Sequence, residues 1–266
     1  MATDIPRSSG ILLHPTSLPS KYGIGDLGQR ARDFIDALAG ANQTWWQMLP
    51  LNVPGHGGSP YSAESAFAGN PALIDLEALA QRGWLEPSDL ESLATDFASA
   101  NPSRVDFSKV TPAKMNLLDK AWGVASKDKG VVAEIATFRA EEAAWLKDYA
   151  LFAALKEKHT NQSWRDWPAA MVAREPSALE RAREELSAQI DRHVFYQWVF
   201  FSQWGELREY AKAAGVRLIG DIPIFVAMDS ADVWANRHLF KLDERGHADV
   251  VAGVPPDYFS APGQKG

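Results

Sequence analysis

ARDFIDALAGANQTWWQMLPL (residues 31–51) decides the fold class. Its first half has the apolar period of a helix and closes on Gly40. Its second half, TWWQMLPL, is a dense apolar run without clean alternation, the pattern of a parallel strand buried on both faces. A long polar loop follows, GHGGSPYSAESAFAGNP (55–71). The same order recurs downstream. QWGELREYAKAAG (203–215) ends on Gly215, VRLIGDIPIFVA (216–227) reads as a strand, and MDSADVW (228–234) opens a loop. Each helix is predicted to stop at its glycine, where positive φ costs nothing. GILLHP (10–15) is a further strand candidate, and its loop, TSLPSKYGIGDLG, feeds a helix with Asp26 as the predicted N-cap. Strand, loop, helix, Gly, strand is the order of an α/β barrel or a doubly wound sheet.

Between residues 76 and 190 the pattern changes. PAKMNLLDKAW, VVAEIATFRAEEAAWLKDYALFAALKEKH and PSALERAREELSAQIDRHVFYQWVFF are helical in period and rich in Ala, Glu, Lys and Leu. They read as a helical insertion whose last helix runs on into the one before the third strand. The expected division is 1–75 for the first β/α units, 76–190 for the helical subdomain, and 191–266 for the third strand and the start of a lid loop. An α/β barrel needs eight strands in about 250 residues. Three strands with an open last edge read as only the first part of one.

Composition narrows the partners. The chain has 266 residues, 46% of them apolar, and a formal net charge of -7 with no basic tract, so nucleic acid and anionic membrane are poor partners. It has no cysteine, which excludes disulfides and thiolate chemistry. No apolar leader opens it and no apolar run is long enough for a membrane span, so a cytoplasmic location is expected. Ten Trp, six Tyr and twelve Phe are notable for this length; most read as core filler, but aromatic faces are also surfaces on which flat ligands, sugar rings included, stack.

In parallel α/β folds ligands sit at the carboxyl ends of the strands, which selects three loops. In the first, His14 reads as a structural residue before it reads as a ligand or base. In the second, GHGGSPY lacks the Lys-Ser/Thr of a phosphate-binding loop. Its glycines allow close backbone approach, and Pro60 sets Tyr61 either as a stacking face with a hydroxyl or as a plain cover on the barrel rim. In the third, Asp221 lies within an apolar run, where a carboxylate needs a cation, donor hydrogens or a polar ligand. Asp229 and Asp232 read as turn and cap residues. ADVVAGVPPDYFSAPGQ (248–264), with Asp257-Tyr258-Phe259 between glycines, has the composition of a lid. The six His are scattered, so no metal cluster is expected.

SSGILLHPTSLPS, GIGDLG, WWQMLPL, SPYSAESAFAGNP, LIGDIPIFVAMDSADVW and VAGVPPDYFS, in this order across residues 8–264, closely resemble the amylomaltase family. These are 4-α-glucanotransferases (disproportionating enzymes) of the α-amylase clan. The resemblance implies a TIM (β/α)8 barrel with inserted subdomains and retaining transfer of α-1,4-glucan segments between maltooligosaccharides, without metal or organic cofactor. By position it implies that Tyr61 stacks on the sugar next to the scissile bond, with Ser59 beside it, and that Asp221 hydrogen-bonds that sugar. It implies that Tyr258 and Phe259 form the tip of a mobile loop over the acceptor sites, to which Gln264 belongs.

The family nucleophile is the Asp of an Arg-x-Asp-His-Phe-Arg motif, and that string is absent. Arg104-Val105-Asp106-Phe107 imitates it, but with no strand before it and no His after it, so it carries no catalytic role. After Gln264 the family runs through a Trp and Gly-Asn-Pro, whereas Lys265-Gly266 stands here. The expectation is a truncated sequence without the catalytic carboxylates, inactive alone; the alternative is a non-catalytic glucan-binding fragment.

Overall fold

The computed structural model describes residues 7–55, 58–101, 103–223, 226–243, 245–250, 253–256, 258 and 261–265. Three short parallel strands, β1 (Gly10–Leu12), β2 (Trp45–Gln47) and β3 (Arg217–Ile219), form one sheet in the order β1-β2-β3. Gly10 pairs with Trp45, and Trp45 with Arg217. Helix α1 (Gln29–Gly40) joins β1 to β2. Then come α2 (Leu76–Gln81), α3 (Pro87–Asp96), α4 (Phe107–Ala125), α5 (Lys129–Glu141), α6 (Ala143–Lys158), α7 (Ala169–Val172), α8 (Pro176–Glu185) and α9 (Ser187–Ala213), with no strand among the described residues between α2 and α9. After β3 stand α10 (Ala231–Ala235) and an antiparallel pair, β4 (Gly253–Val254) with β5 (Gln264–Lys265).

The helix-to-strand junctions explain the parallel order. In α1, Ala31, Ile35 and Leu38 are buried at helical spacing. Its end is a Schellman motif: Asn42 N–H donates to Ala39 O at 3.0 Å and Gln43 N–H to Leu38 O at 2.8 Å. The left-handed residue is therefore Asn42, at φ 56°, and not Gly40, which stays within the helix. A short polar side chain tolerates this conformation, so the glycine was unnecessary there. The end of α9 repeats the motif with Gly215 at φ 75°, where glycine is expected. At the other end of α1 the N-cap is Gly28; Asp26 instead accepts the Gly28 N–H from two residues upstream, at 3.1 Å.

The strands are shorter and more open than their apolar runs imply. Trp46 in the central strand is fully buried, meets Phe34 edge-on at 4.9 Å and donates its indole N–H to Leu13 O at 2.7 Å. Among the described residues the outer strands have a neighbour on one side only; β1 is exposed along its length, and so are Ile219 at the end of β3 and Ile222 beyond it. Burial on both faces holds for neither outer strand. The third strand ends at Ile219, which leaves Asp221 outside it and exposed.

One hydrophobic cluster runs from Leu18 through Ile35, Trp46 and Met48 into Leu151, Phe152 and Phe195 of the helical section. Helix α9 is the spine. It packs against α1, α4, α5, α6 and α8, and all residues from His193 to Phe200 are buried, so its middle is enclosed on every side. Among the described residues no helix is long and apolar enough to cross a membrane.

Candidate substrate-binding site

The loops after β1, β2 and β3 meet at the carboxyl ends of the strands. His14 ties the first to the second. It accepts from Thr16 N–H at Nδ1 (3.3 Å), which leaves Nε2 to donate to Pro50 O at 3.3 Å. Burial holds its pKa below the ordinary value, so it stays neutral as a loop brace.

The second loop folds back on itself, with Asn52 bridging Gly69 and Pro54 bridging Ala63. Helix α9 anchors its far end. Gln197, fully buried, accepts from Gly69 N–H at 2.8 Å and donates to Gly69 O at 2.9 Å, and Phe200 occupies the space a side chain at Gly69 would need. One helical stretch further, Gln203 makes the same paired contact with Asp75 N–H and O, at 2.7 and 3.0 Å. Gly58 sits at φ 70°, which lets the loop turn before Ser59.

Ser59 Oγ accepts Tyr61 N–H at 3.3 Å. From there Tyr61 reaches across to the third loop and donates its hydroxyl to Asp221 Oδ2 at 2.7 Å. The second carboxylate oxygen accepts Ile222 N–H at 2.8 Å. Tyr61 as a residue remains 43% exposed, so an aromatic side chain and a carboxylate stand together at the surface. The hydrogen bond to Asp221 raises the Tyr61 pKa and keeps the phenol a donor. Asp221 thus meets donor hydrogens, as a carboxylate beside an apolar strand should, but at the strand's end and not within it.

Tyr258 is exposed, and Gln264 lies in β5, its backbone opposite Val254. Phe259 lies outside the described residues, as does Asp257. The lid-like segment contains an antiparallel pair, β4 with β5, where only loop was read.

Backbone bonds join the second and third loops directly: Ala227 N–H to Ala63 O at 3.1 Å and Ala231 N–H to Glu64 O at 2.8 Å. Asp232 adds a bond from Ala66 N–H at 2.9 Å, and the N-cap of α10 is Ser230, so Asp232 links loops and caps nothing. Asp229 pairs with Lys156 of α6 at 2.7 Å. Below them Glu64, desolvated and near Asp229, has its pKa pushed up to about 7 although Lys156 opposes the shift. A comparable pair of acids lies under the first loop. Burial raises Asp26 and pushes Asp75 up to about 6, beside Lys114, whose Nζ donates to Ile74 O at 2.7 Å.

A cavity of about 200 Å³ opens at the strand ends between Met48, Leu51, Gly69, Phe200 and Asp221. A cleft of about 990 Å³ lies beyond Phe67, walled by Trp145, Met228 and Leu242, with neither Tyr61 nor Asp221 in its lining. Asp106, in the imitation motif, is the N-cap residue of α4 and accepts from Ser108 Oγ at 2.6 Å. Among the described residues no three His, Asp or Glu gather as a metal would require.

The residues that organise the site without announcing themselves in the sequence are Gln197, Gln203, Lys156 and Glu64. Polar positions within strongly apolar helical runs were the available signal for Gln197 and Lys156.

The sequence profile of the family described as 4-alpha-glucanotransferase matches residues 13–265. The chain is 48% identical over 265 residues to a 4-alpha-glucanotransferase of Thermus thermophilus, covering 98% of this chain and 51% of that protein. It is also 48% identical over 261 residues to one of Synechocystis, covering 97% and 51%. An amylomaltase of Streptococcus agalactiae, solved in complex with acarbose, superposes with a TM-score of 0.93 at 39% identity, covering 98% of this chain and 52% of that one. The chain spans about half the length of the relatives it matches. It belongs to the 4-alpha-glucanotransferase family.

Proposed function

We propose that this chain carries the glucan-holding part of a 4-alpha-glucanotransferase site. The carrying observation is the 2.7 Å bond between Tyr61 and Asp221, which sets an exposed ring and a carboxylate side by side at the ends of β2 and β3. A pyranose presents an apolar face to the ring and hydroxyls to the carboxylate, which suits maltooligosaccharides. The related amylomaltase that holds acarbose supports the same ligand class. Ser59 sets the turn that aims Tyr61. Tyr258, Phe259 and Gln264 are proposed for the acceptor side, as a lid that favours a sugar hydroxyl over water.

In this reading β1 to β3 are strands of a TIM barrel, and residues 76–190 a helical subdomain set between its second and third strands. Retaining transfer needs a nucleophilic carboxylate and an acid/base carboxyl roughly 5 Å apart. The absence of an Arg-x-Asp-His-Phe-Arg string favours glucan holding without transfer by this chain alone. Incubation of the purified chain with maltotriose tests this: no glucose and no longer oligomers are expected, and their appearance sinks the reading of inactivity.

A further inference from the structure

We propose that Lys156 is a positioning residue for the sugar-holding loops, acting through Asp229 from the helical section of the chain. What those loops hold rests on the function proposed above; the link between them and Lys156 stands on geometry alone.

Lys156 is near the end of α6 and 7% exposed. An ammonium group has three N–H donors, and burial is tolerable only if they are matched. Here each has an acceptor: Asn161 O at 3.0 Å, Gln162 O at 3.1 Å and Asp229 Oδ2 at 2.7 Å. The first of these carbonyls comes from an uncommon turn. Thr160 and Asn161 stand consecutively at φ 50° and 61°, and a β-branched residue resists that region. Such conformations persist where surrounding bonds over-determine them, and three bonds join this turn to Lys156: the two from its Nζ and one from Asn161 N–H to Lys156 O at 2.7 Å.

The socket fixes Asp229 rather than merely neutralising it. The other oxygen of Asp229 accepts Trp164 N–H at 3.0 Å, and the buried Trp164 indole donates to Met228 O at 2.8 Å. The segment 228–229 is therefore held at both side chain and backbone. On either side of it, Ala227 and Ala231 donate to Ala63 and Glu64, two and three residues beyond Tyr61. A path of direct bonds thus runs from Lys156 through Asp229 to the loop that carries Tyr61. A plain structural pair would stabilise the whole fold equally; this one ends on two loops.

Residue-resolved hydrogen exchange on the full chain separates the cases. In Lys156→Met, the amides of Ala227 and Ala231 should exchange at least tenfold faster, while those of Phe195 and Phe200 in α9 keep their protection. Asp229→Asn, nearly isosteric, should reproduce the pattern and covers the case in which the Lys156 variant does not fold. Leu207→Ala, a cavity in the buried part of α9, should lower protection at all four sites together. Exchange at Ala227 and Ala231 that rises only in step with α9 in both charge variants overturns the proposal. Calorimetry with maltoheptaose adds a second readout: Lys156→Met should weaken binding at least fivefold and Leu207→Ala should not. Absence of binding by the unsubstituted chain removes the glucan reading, and the exchange result still decides the positioning role.

Discussion

The hydroxyl of Tyr61 donates to Oδ2 of Asp221 at 2.7 Å, joining residues 160 positions apart and two loops that follow different strands. The bond favours the neutral phenol, because a phenolate beside a carboxylate would repel it. Asp221→Ala should therefore lower the pH at which one tyrosine ionises, read from the phenolate absorbance. Tyr61→Phe should remove that same transition from the titration. An unchanged curve in Asp221→Ala would show that the two side chains do not meet in solution.

Glu64 predicts a pH dependence of stability. Its folded pKa of about 7 lies above the ordinary 4.5, so the folded state binds this proton more tightly than the unfolded state. The stabilisation is complete below the unfolded value and is lost as pH rises through about 7. Glu64→Gln should flatten that loss and, at pH about 8, exceed the unsubstituted chain by on the order of 2–3 kcal/mol. Asp75, pushed up to about 6, contributes with the same sign and should leave a smaller slope at lower pH. Urea midpoints across the range check this; an undiminished slope through neutrality in Glu64→Gln would place the titration elsewhere.

Gly69 lies between the ring of Phe200 and the amide of Gln197. Gly69→Ala should destabilise by about 1–3 kcal/mol through overpacking against a rigid ring. Gln197→Leu should cost about 2–3 kcal/mol, since it leaves the buried N–H and C=O of Gly69 without partners. Chemical denaturation measures both. A change below about 0.5 kcal/mol in each would mean that the loop detaches from α9 at little cost.

Much of the architecture was legible because periodicity and turn chemistry are local. The Schellman end of α9 at Gly215, the strands that follow α1 and α9 and the run of helices between them follow from short-range patterns, whereas α1 turns at Asn42 and not at the Gly40 expected. What was missed is non-local. VRLIGDIPIFVA reads as one strand, but β3 pairs with β2 and stops at Ile219, so ladder pairing and not propensity set its end. Asp26 looked like a cap and is held by burial beside Lys114 at 3.6 Å, a partner 88 positions away that no window contains. Tyr61 and Asp221 were singled out, each on its own. That they touch could not be read, because their meeting depends on how α9 and the loop bonds through Ala63 and Glu64 place them.

Calorimetry of the chain with maltoheptaose, beside Tyr61→Ala, tests the central claim most directly. Binding heat is predicted for the unsubstituted chain, with affinity lower by about tenfold when the ring is removed, the scale of one lost aromatic contact. Equal binding by both, or no heat from either, would contradict the assignment of Tyr61 and Asp221 as the sugar-holding pair.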